Sequence, residues 1–152
     1  MSITNKLDIN IRSQVLGTVG LSSVTSLINQ QQTTDLTSVA TDSVYTATTA
    51  ISGGSVDIDL IGSLTDPLGI AVTFAKVMAV FIVNNGANAM TIGGANNIPM
   101  LGSGDVMNLA AGAYFQYTDE AGIAVTAGTG DLITVAGTNT DEFEIVVIGS
   151  ST

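Results

Sequence analysis

Lys76-Val77-Met78-Ala79-Val80-Phe81-Ile82-Val83 carries the longest apolar run in the chain and leads straight into Asn84-Asn85-Gly86-Ala87-Asn88. The run is rich in β-branched and aromatic side chains and holds neither Gly nor Pro, so it reads as a central strand covered on both faces. It is far too short to span a bilayer. Asn-Gly tolerates the positive φ of a tight turn, so the spacing predicts a hairpin with Ala89-Met90-Thr91-Ile92-Gly93 as the return strand.

Working outward from this segment, the same signal recurs. Towards the C-terminus, short strands are expected at Asp105–Leu109, Ala113–Thr118, Ile123–Thr126, Asp131–Ala136 and Phe143–Ile148. Towards the N-terminus, Thr65-Asp66-Pro67-Leu68-Gly69 is a turn. Before it, Val56, Ile58 and Leu60 alternate with Asp57 and Asp59, the pattern of a half-buried strand. Ile51-Ser52-Gly53-Gly54 opens this region, which we take as a domain covering residues 51–152. Strands about every ten residues, separated by Gly and Asn, argue for an all-β sandwich or barrel rather than a parallel α/β sheet.

Residues 1–50 differ from the rest, and we read them as an N-terminal arm and a Ser/Thr-rich segment partly packed on the domain. Leu7, Ile9 and Ile11 alternate with Asp8 and Asn10 between Lys6 and Arg12, a period-two strand signal. Two readings stand: the first strand of the domain, or an arm adding to a neighbouring subunit's sheet. Gln30-Gln31-Gln32 and Thr33-Thr34 read as a loop or linker. Val15, Val19, Val24, Leu27 and Ile28 could line a short helix, although Gly17 and Gly20 oppose it. Leu36 to Thr48 is rich in β-branched residues and suits one or two strands.

Composition narrows the function. Hydrophobic residues make up 45% of the 152, so a real core forms, whereas charged residues are only 11%. Thirteen acids against three bases (Lys6, Arg12, Lys76) give a formal net charge of −10. Such a chain repels phosphate backbones and anionic bilayers, so neither nucleic acid nor membrane is an expected partner. There is no Cys, His or Trp, which removes disulfides, thiolate metal sites and the commonest acid–base catalyst. Met1-Ser2-Ile3-Thr4-Asn5-Lys6 lacks the apolar core of a signal peptide, so synthesis in a cytoplasm is expected.

The remaining chemical motifs are weak. Asp57 and Asp59 project from one strand face, as a glycosidase pair would, but adjacent acids on a solvated face are far commoner. Asp119, Glu120, Asp131, Asp141, Glu142 and Glu144 offer carboxylates suited to a hard cation, without the Asp-x-Asp-x-Asp-Gly spacing. They read as loop acids that keep the protein soluble. Gly102-Ser103-Gly104 and Gly128-Thr129-Gly130 precede no helix pattern and read as turns. Phe81 and Phe143 read as core, while Tyr114 and Tyr117 suit an edge or interface, where an amphipathic ring is useful. No catalytic, cofactor or metal residue is expected.

From Ile51 onward the order of strand and turn motifs resembles small virion proteins of tailed phages, the head decoration, cement and minor fibre proteins. The residues that carry it are Ile51-Ser52-Gly53-Gly54 into Val56-Asp57-Ile58-Asp59-Leu60, Phe74-Ala75-Lys76-Val77, Asn84-Asn85-Gly86 and Met90-Thr91-Ile92-Gly93-Gly94. They continue through Leu109-Ala110-Ala111-Gly112-Ala113, Thr126-Ala127-Gly128 with Asp131-Leu132-Ile133, and Ile145-Val146-Val147-Ile148-Gly149. The resemblance implies a jelly-roll-like β-sandwich with an extended N-terminal arm, trimeric or otherwise clustered on a capsid. It implies binding to the major capsid protein and to copies of itself, no enzymatic activity and no cofactor. The arm residues Lys6, Leu7, Ile9, Ile11 and Arg12 would then meet the capsid or a neighbouring subunit. A fibre module that binds a host glycan through Tyr114 or Tyr117 is the alternative.

Overall fold

The computed structural model describes residues 41–102 and 104–152 in full, and residues 6–19 and 22–35 as backbone. No helix occurs among them; every regular element is an antiparallel strand. In chain order these are β1 (Lys6–Val19), β2 (Ser22–Asp35), β3 (Ser43–Ala50), β4 (Ser55–Asp59), β5 (Leu64–Thr65) and β6 (Ala71–Val72). Then come β7 (Lys76–Asn84), β8 (Met90–Gly93), β9 (Val106–Leu109), β10 (Tyr114–Ala124), β11 (Leu132–Ala136) and β12 (Glu142–Ser150).

Eight of these strands pair in a nested series. β8 pairs with β9, β7 with β10, β4 with β11, and β3 with β12. The chain is thus one long antiparallel ribbon folded back at β8–β9 and wrapped so that its pairs fall alternately into two sheets. The first sheet has the order β10-β7-β12-β3 and the second β4-β11-β8-β9. Val80, Ile82, Phe115, Phe143, Ile145 and Val147 of the first join Ile58, Met90, Ile92, Leu109, Ile133 and Val135 of the second in one buried cluster. The short β5–β6 pair lies on an excursion from Leu60 to Phe74, which returns to its base through the Phe74 amide donating to the Leu60 carbonyl at 2.9 Å.

β7 is central, with β10 on one side and β12 on the other, but it is not covered on both faces, since Phe81 and Val83 are partly exposed. Its register with β12 slips between Ile148 and Gly149, where Ala79 and then Val77 are the partners. Met78 is the extra residue, and this β-bulge turns Val77 inward, out of phase with Val80 and Ile82. Gly149 permits the slip. A Cβ there would fall on the Lys76 carbonyl oxygen and come within 2.9 Å of the Phe74 ring. Gly149→Ala is expected to lower stability by about 1–3 kcal/mol, read by urea unfolding, because both obstacles are backbone or packed ring.

Three expectations are corrected. Asn84–Asn88 does not close a hairpin: β7 and β8 belong to different sheets, and the segment carries the chain across the core. Gly86 is required for room rather than for a positive φ, since a Cβ would approach Asp141 Cβ at 2.6 Å. Phe81 is not core. It lies on the outer face of its sheet, one residue out of phase with Val80 and Ile82, while Phe143 is fully buried. Residues 15–19 and 22–34 form neither a helix nor a linker. β1 and β2 pair over fourteen residues, from Lys6↔Asp35 to Val19↔Ser22. No Gly or Pro interrupts 22–35, and a ladder partner satisfies the backbone of a polar run as well as that of an apolar one.

Lys6–Arg12 is thus the first half of β1, with β2 of the same chain as its partner. The side chains of Lys6, Leu7, Ile9, Ile11 and Arg12 lie outside the described residues, as do residues 36–40. The last residues before Ile51 form β3, an edge strand of the first four-stranded sheet.

Candidate interaction surface

The outward faces of the two sheets differ in chemistry. On the β4-β11-β8-β9 sheet, Asp57 and Asp59 point out beside Thr134 and Thr91. A short polar chain crosses this face: Asn97 Nδ2 donates to Thr134 Oγ1 at 2.9 Å, and Thr134 Oγ1 donates to Asp57 Oδ1 at 2.7 Å. The Thr134 amide donates to Asn97 Oδ1 at 2.6 Å, so the Asn97 side chain extends the ladder where β8 has ended. Asp59 Oδ1 accepts the Ile61 amide at 3.1 Å. Both carboxylates of the sequence-identified pair therefore hold local structure.

The β10-β7-β12-β3 sheet turns out a different set of residues. Its register aligns Val44, Ile148 and Ala79 in one cross-strand row, and Thr46, Val146 and Phe81 in the next. Val83 and Tyr114 follow in a third row, beside Glu144 and Thr48. Ala79 is only 5% exposed, and Val44, Phe81, Val83, Val146 and Ile148 are partly exposed. Outer faces of antiparallel sheets are ordinarily polar. Here apolar side chains form the middle of one, with Thr46, Thr48, Glu144, Gln116 and Thr118 around them. An open depression of about 300 Å³ lies between β3 and β12, lined by Thr46, Ala47, Thr48, Glu144, Ile145 and Val146.

The structure separates the two rim tyrosines. Tyr114 is 60% exposed on the outer face, with its ring centroid 5.8 Å from that of Phe81. Tyr117 lies three residues on, hence on the opposite side of the strand, where it packs on the core. Its hydroxyl donates to Asp119 Oδ2 at 3.3 Å, and burial together with the Asp119 charge raises its pKa. Tyr45 on β3 also packs on the core, and burial raises its pKa.

The six acids considered for a cation do not assemble. No group of three or more carboxylates able to hold a metal ion occurs among the described residues. Nor are Asp131 and Asp141 the solvating loop acids expected from sequence; both are buried. Asp131 Oδ2 accepts the Gly128 amide at 2.7 Å, holding the Gly128–Gly130 turn. Asp141 accepts the Ala87 amide at 3.1 Å and Asn88 Nδ2 at 3.0 Å, clamping the crossing between the sheets.

Sequence reading passed over two features. At the tip of the Leu60–Phe74 excursion, Leu68 and Ile70 are 70% and 55% exposed, with Ile61 at its base 41% exposed. Asp66 Oδ1 accepts the amides of Leu68 and Ile70 at 2.8 and 2.7 Å, which fixes the tip. Asp42 ties the end of the last strand to the start of β3. It accepts the Ser151 amide and hydroxyl at 2.7 and 2.6 Å, and the Ser151 hydroxyl above all holds its pKa below the usual carboxylate value. No family model, no curated protein and no solved structure matches this chain.

Proposed function

We propose that this protein is a non-enzymatic structural component of a tailed-phage virion, a jelly roll that binds the outer surface of the capsid and stabilises or decorates it. The nested pairing of eight strands supports the jelly-roll reading, because a jelly roll is such a ribbon wrapped into two four-stranded sheets. Fold alone assigns no role. The observation that carries the functional reading is the cluster of Val44, Ala79, Phe81, Val83, Val146 and Ile148 on the outer face of the β10-β7-β12-β3 sheet. A contiguous apolar surface on a soluble domain marks a place where another protein sits. The major capsid protein and further copies of this chain are the partners proposed. Repetition over a lattice lets modest contacts sum to firm attachment. The β1–β2 hairpin, with Lys6 and Arg12, adds a second point of contact with the capsid or a neighbouring subunit.

The test is to mix the purified protein with bare expanded capsids. It is expected to sediment with them and to raise the temperature at which they open. Val146→Asp, which places a charge in the apolar face, is expected to weaken binding at least about tenfold, since one buried aliphatic side chain is worth that much. Ser55→Asp, on the other sheet, should leave binding unchanged. A native protein that stays in the supernatant overturns the reading.

A second reading, a fibre module that binds a host-surface glycan, is favoured by the exposed Tyr114 ring lying against Phe81. Retention on a glycan array, lost in Tyr114→Ala, would select it over capsid binding.

A further inference from the structure

We propose that β3 is a self-association edge: two copies of this chain pair β3 with β3, antiparallel, about a two-fold axis at Ala47. Two four-stranded sheets then become one sheet of eight. This goes beyond the capsid reading and does not depend on it.

The inference starts from how the sheet edges are protected. An open strand edge templates further strands unless charge, a bulge or brevity blocks it. The first sheet ends in β10 and β3, the second in β4 and β9. β10 breaks its ladder between Thr118 and Ile123, where Asp119 and Glu120 protrude. β4 has five residues, two of them Asp57 and Asp59. β9 has four and follows Asp105. β3 carries none of these guards. Its eight residues, Ser-Val-Tyr-Thr-Ala-Thr-Thr-Ala, include no charge and no Pro, and its ladder with β12 runs without a slip. The Leu60–Phe74 excursion lies against its start, where Ser43 Oγ donates to the Thr73 carbonyl at 3.4 Å and β6 comes close to more than one of its residues. Among the described residues, no ladder or side-chain hydrogen bond reaches its open side from Thr46 to Ala50.

A second copy is the occupant that the charge pattern selects. Residues 41–152 hold eleven of the thirteen acids and one base, Lys76, so most faces of two copies repel. An uncharged strand can meet itself without placing like charges opposite each other. The Ile51 amide donates to the Asp141 carbonyl. Because polar groups alternate along a strand, odd-numbered residues face β12, and Val44, Thr46, Thr48 and Ala50 direct theirs outward. The Ala47 register joins these even residues in hydrogen-bonded pairs, Thr46 to Thr48 and Val44 to Ala50. On the inner side Ala47 meets Ala47, and Tyr45 meets Thr49. Threonine pairs and aromatic–threonine pairs are favourable across strands. Glu144, beside Thr48, then stands at least three strand spacings from its counterpart, about 14 Å, beyond the screening length at physiological salt.

Ala47→Cys tests the register in a chain that otherwise has no cysteine. Under mild oxidation the full-length variant is expected to form a disulfide-linked dimer at least tenfold faster than Ala50→Cys, whose sulfurs lie far apart in this register. Sedimentation equilibrium of the native chain should give even-numbered species. The double variant Thr46→Lys, Thr48→Lys sets lysines opposite each other and is expected to weaken association at least tenfold with unchanged circular dichroism. A native chain that is purely monomeric or purely trimeric overturns the proposal, as does equal trapping of the two cysteine variants. A monomer whose Val44, Thr46 and Thr48 amides resist hydrogen exchange would place part of its own chain on that edge, and overturns it too.

Discussion

Asn84→Leu is expected to lower the stability of the protein by about 3–5 kcal/mol, the largest loss of any polar substitution in the described residues. Asn84 is fully buried at the end of β7. Its Nδ2 lies 2.9 Å from the Asn88 carbonyl, 3.0 Å from that of Leu109 and 3.1 Å from that of Ala110. Its Oδ1 accepts the Gly86 amide at 2.9 Å. One side chain thus binds the crossing to β8, the end of β9 and the loop before β10. Leucine keeps the branched, four-atom shape of the side chain, is bulkier, and satisfies none of these groups. Each orphaned buried polar group costs about 1–3 kcal/mol, reduced where the crossing shifts to admit water. Asn84→Asp removes the donor and directs a carboxylate oxygen at carbonyls, so it should be at least as harmful above the carboxylate pKa. Chemical unfolding monitored by tyrosine fluorescence would measure both. A loss below about 1 kcal/mol would show that these bonds hold little of the fold together.

Phe143→Ala and Phe81→Ala form the second test, a comparison between the two faces of one sheet. Phe143 is fully buried, in register with Asn84 on one side and Thr49 on the other. Truncation there removes a ring from a closed core and leaves a cavity, worth about 3–5 kcal/mol. Phe81 also lies in a central strand but faces outward, partly exposed beside Tyr114. Its truncation is expected to lower stability by about 1 kcal/mol, because its ring was never fully removed from water. If the two losses are equal, the outer face is as dry as the core within the isolated chain, and the distinction drawn between the two faces fails.

That distinction was not legible in the sequence of β7. Met78, Val80 and Ile82 alternate with Val77, Ala79, Phe81 and Val83, and both sets are apolar, so periodicity offers no choice between faces. The bulge at Met78 hides the phase further by turning Val77 inward with Val80. Where one face is polar the reading succeeds: Val56 and Ile58, alternating with Asp57 and Asp59, fall in β4. Thr65 to Gly69 forms the expected turn for a local reason, since Asp66 caps two amides within four residues.

The misread segments share a cause. Asn84-Asn85-Gly86 has the composition of a hairpin, but whether two strands pair or part depends on β10 and β12, far along the chain. The polar run Ser22–Asp35 is a strand because β1 supplies its ladder, which composition cannot report. Asp131 and Asp141 resemble solvating acids until the amides they accept are placed beside them. Tyr114 and Tyr117 could have been assigned to opposite faces from their spacing of three. The apolar outer face could not, because its rows assemble from four strands spread between Val44 and Ile148.

The nested pairing also dictates when the molecule can be completed. β12, the last strand in chain order, is inserted between β3 and β7, and Ser43 meets Gly149 across more than a hundred intervening residues. During synthesis β7 and β10 are already made, yet the ladder that joins them to β3 does not exist until the ribosome has released residues 142–150. Loop closure over that span is slow, on the millisecond-to-second scale of sheets built from distant strands. Until then the apolar flank of β7 lies open to whatever the cell offers. A strand edge left unpaired for that long is the kind of surface through which folding chains aggregate.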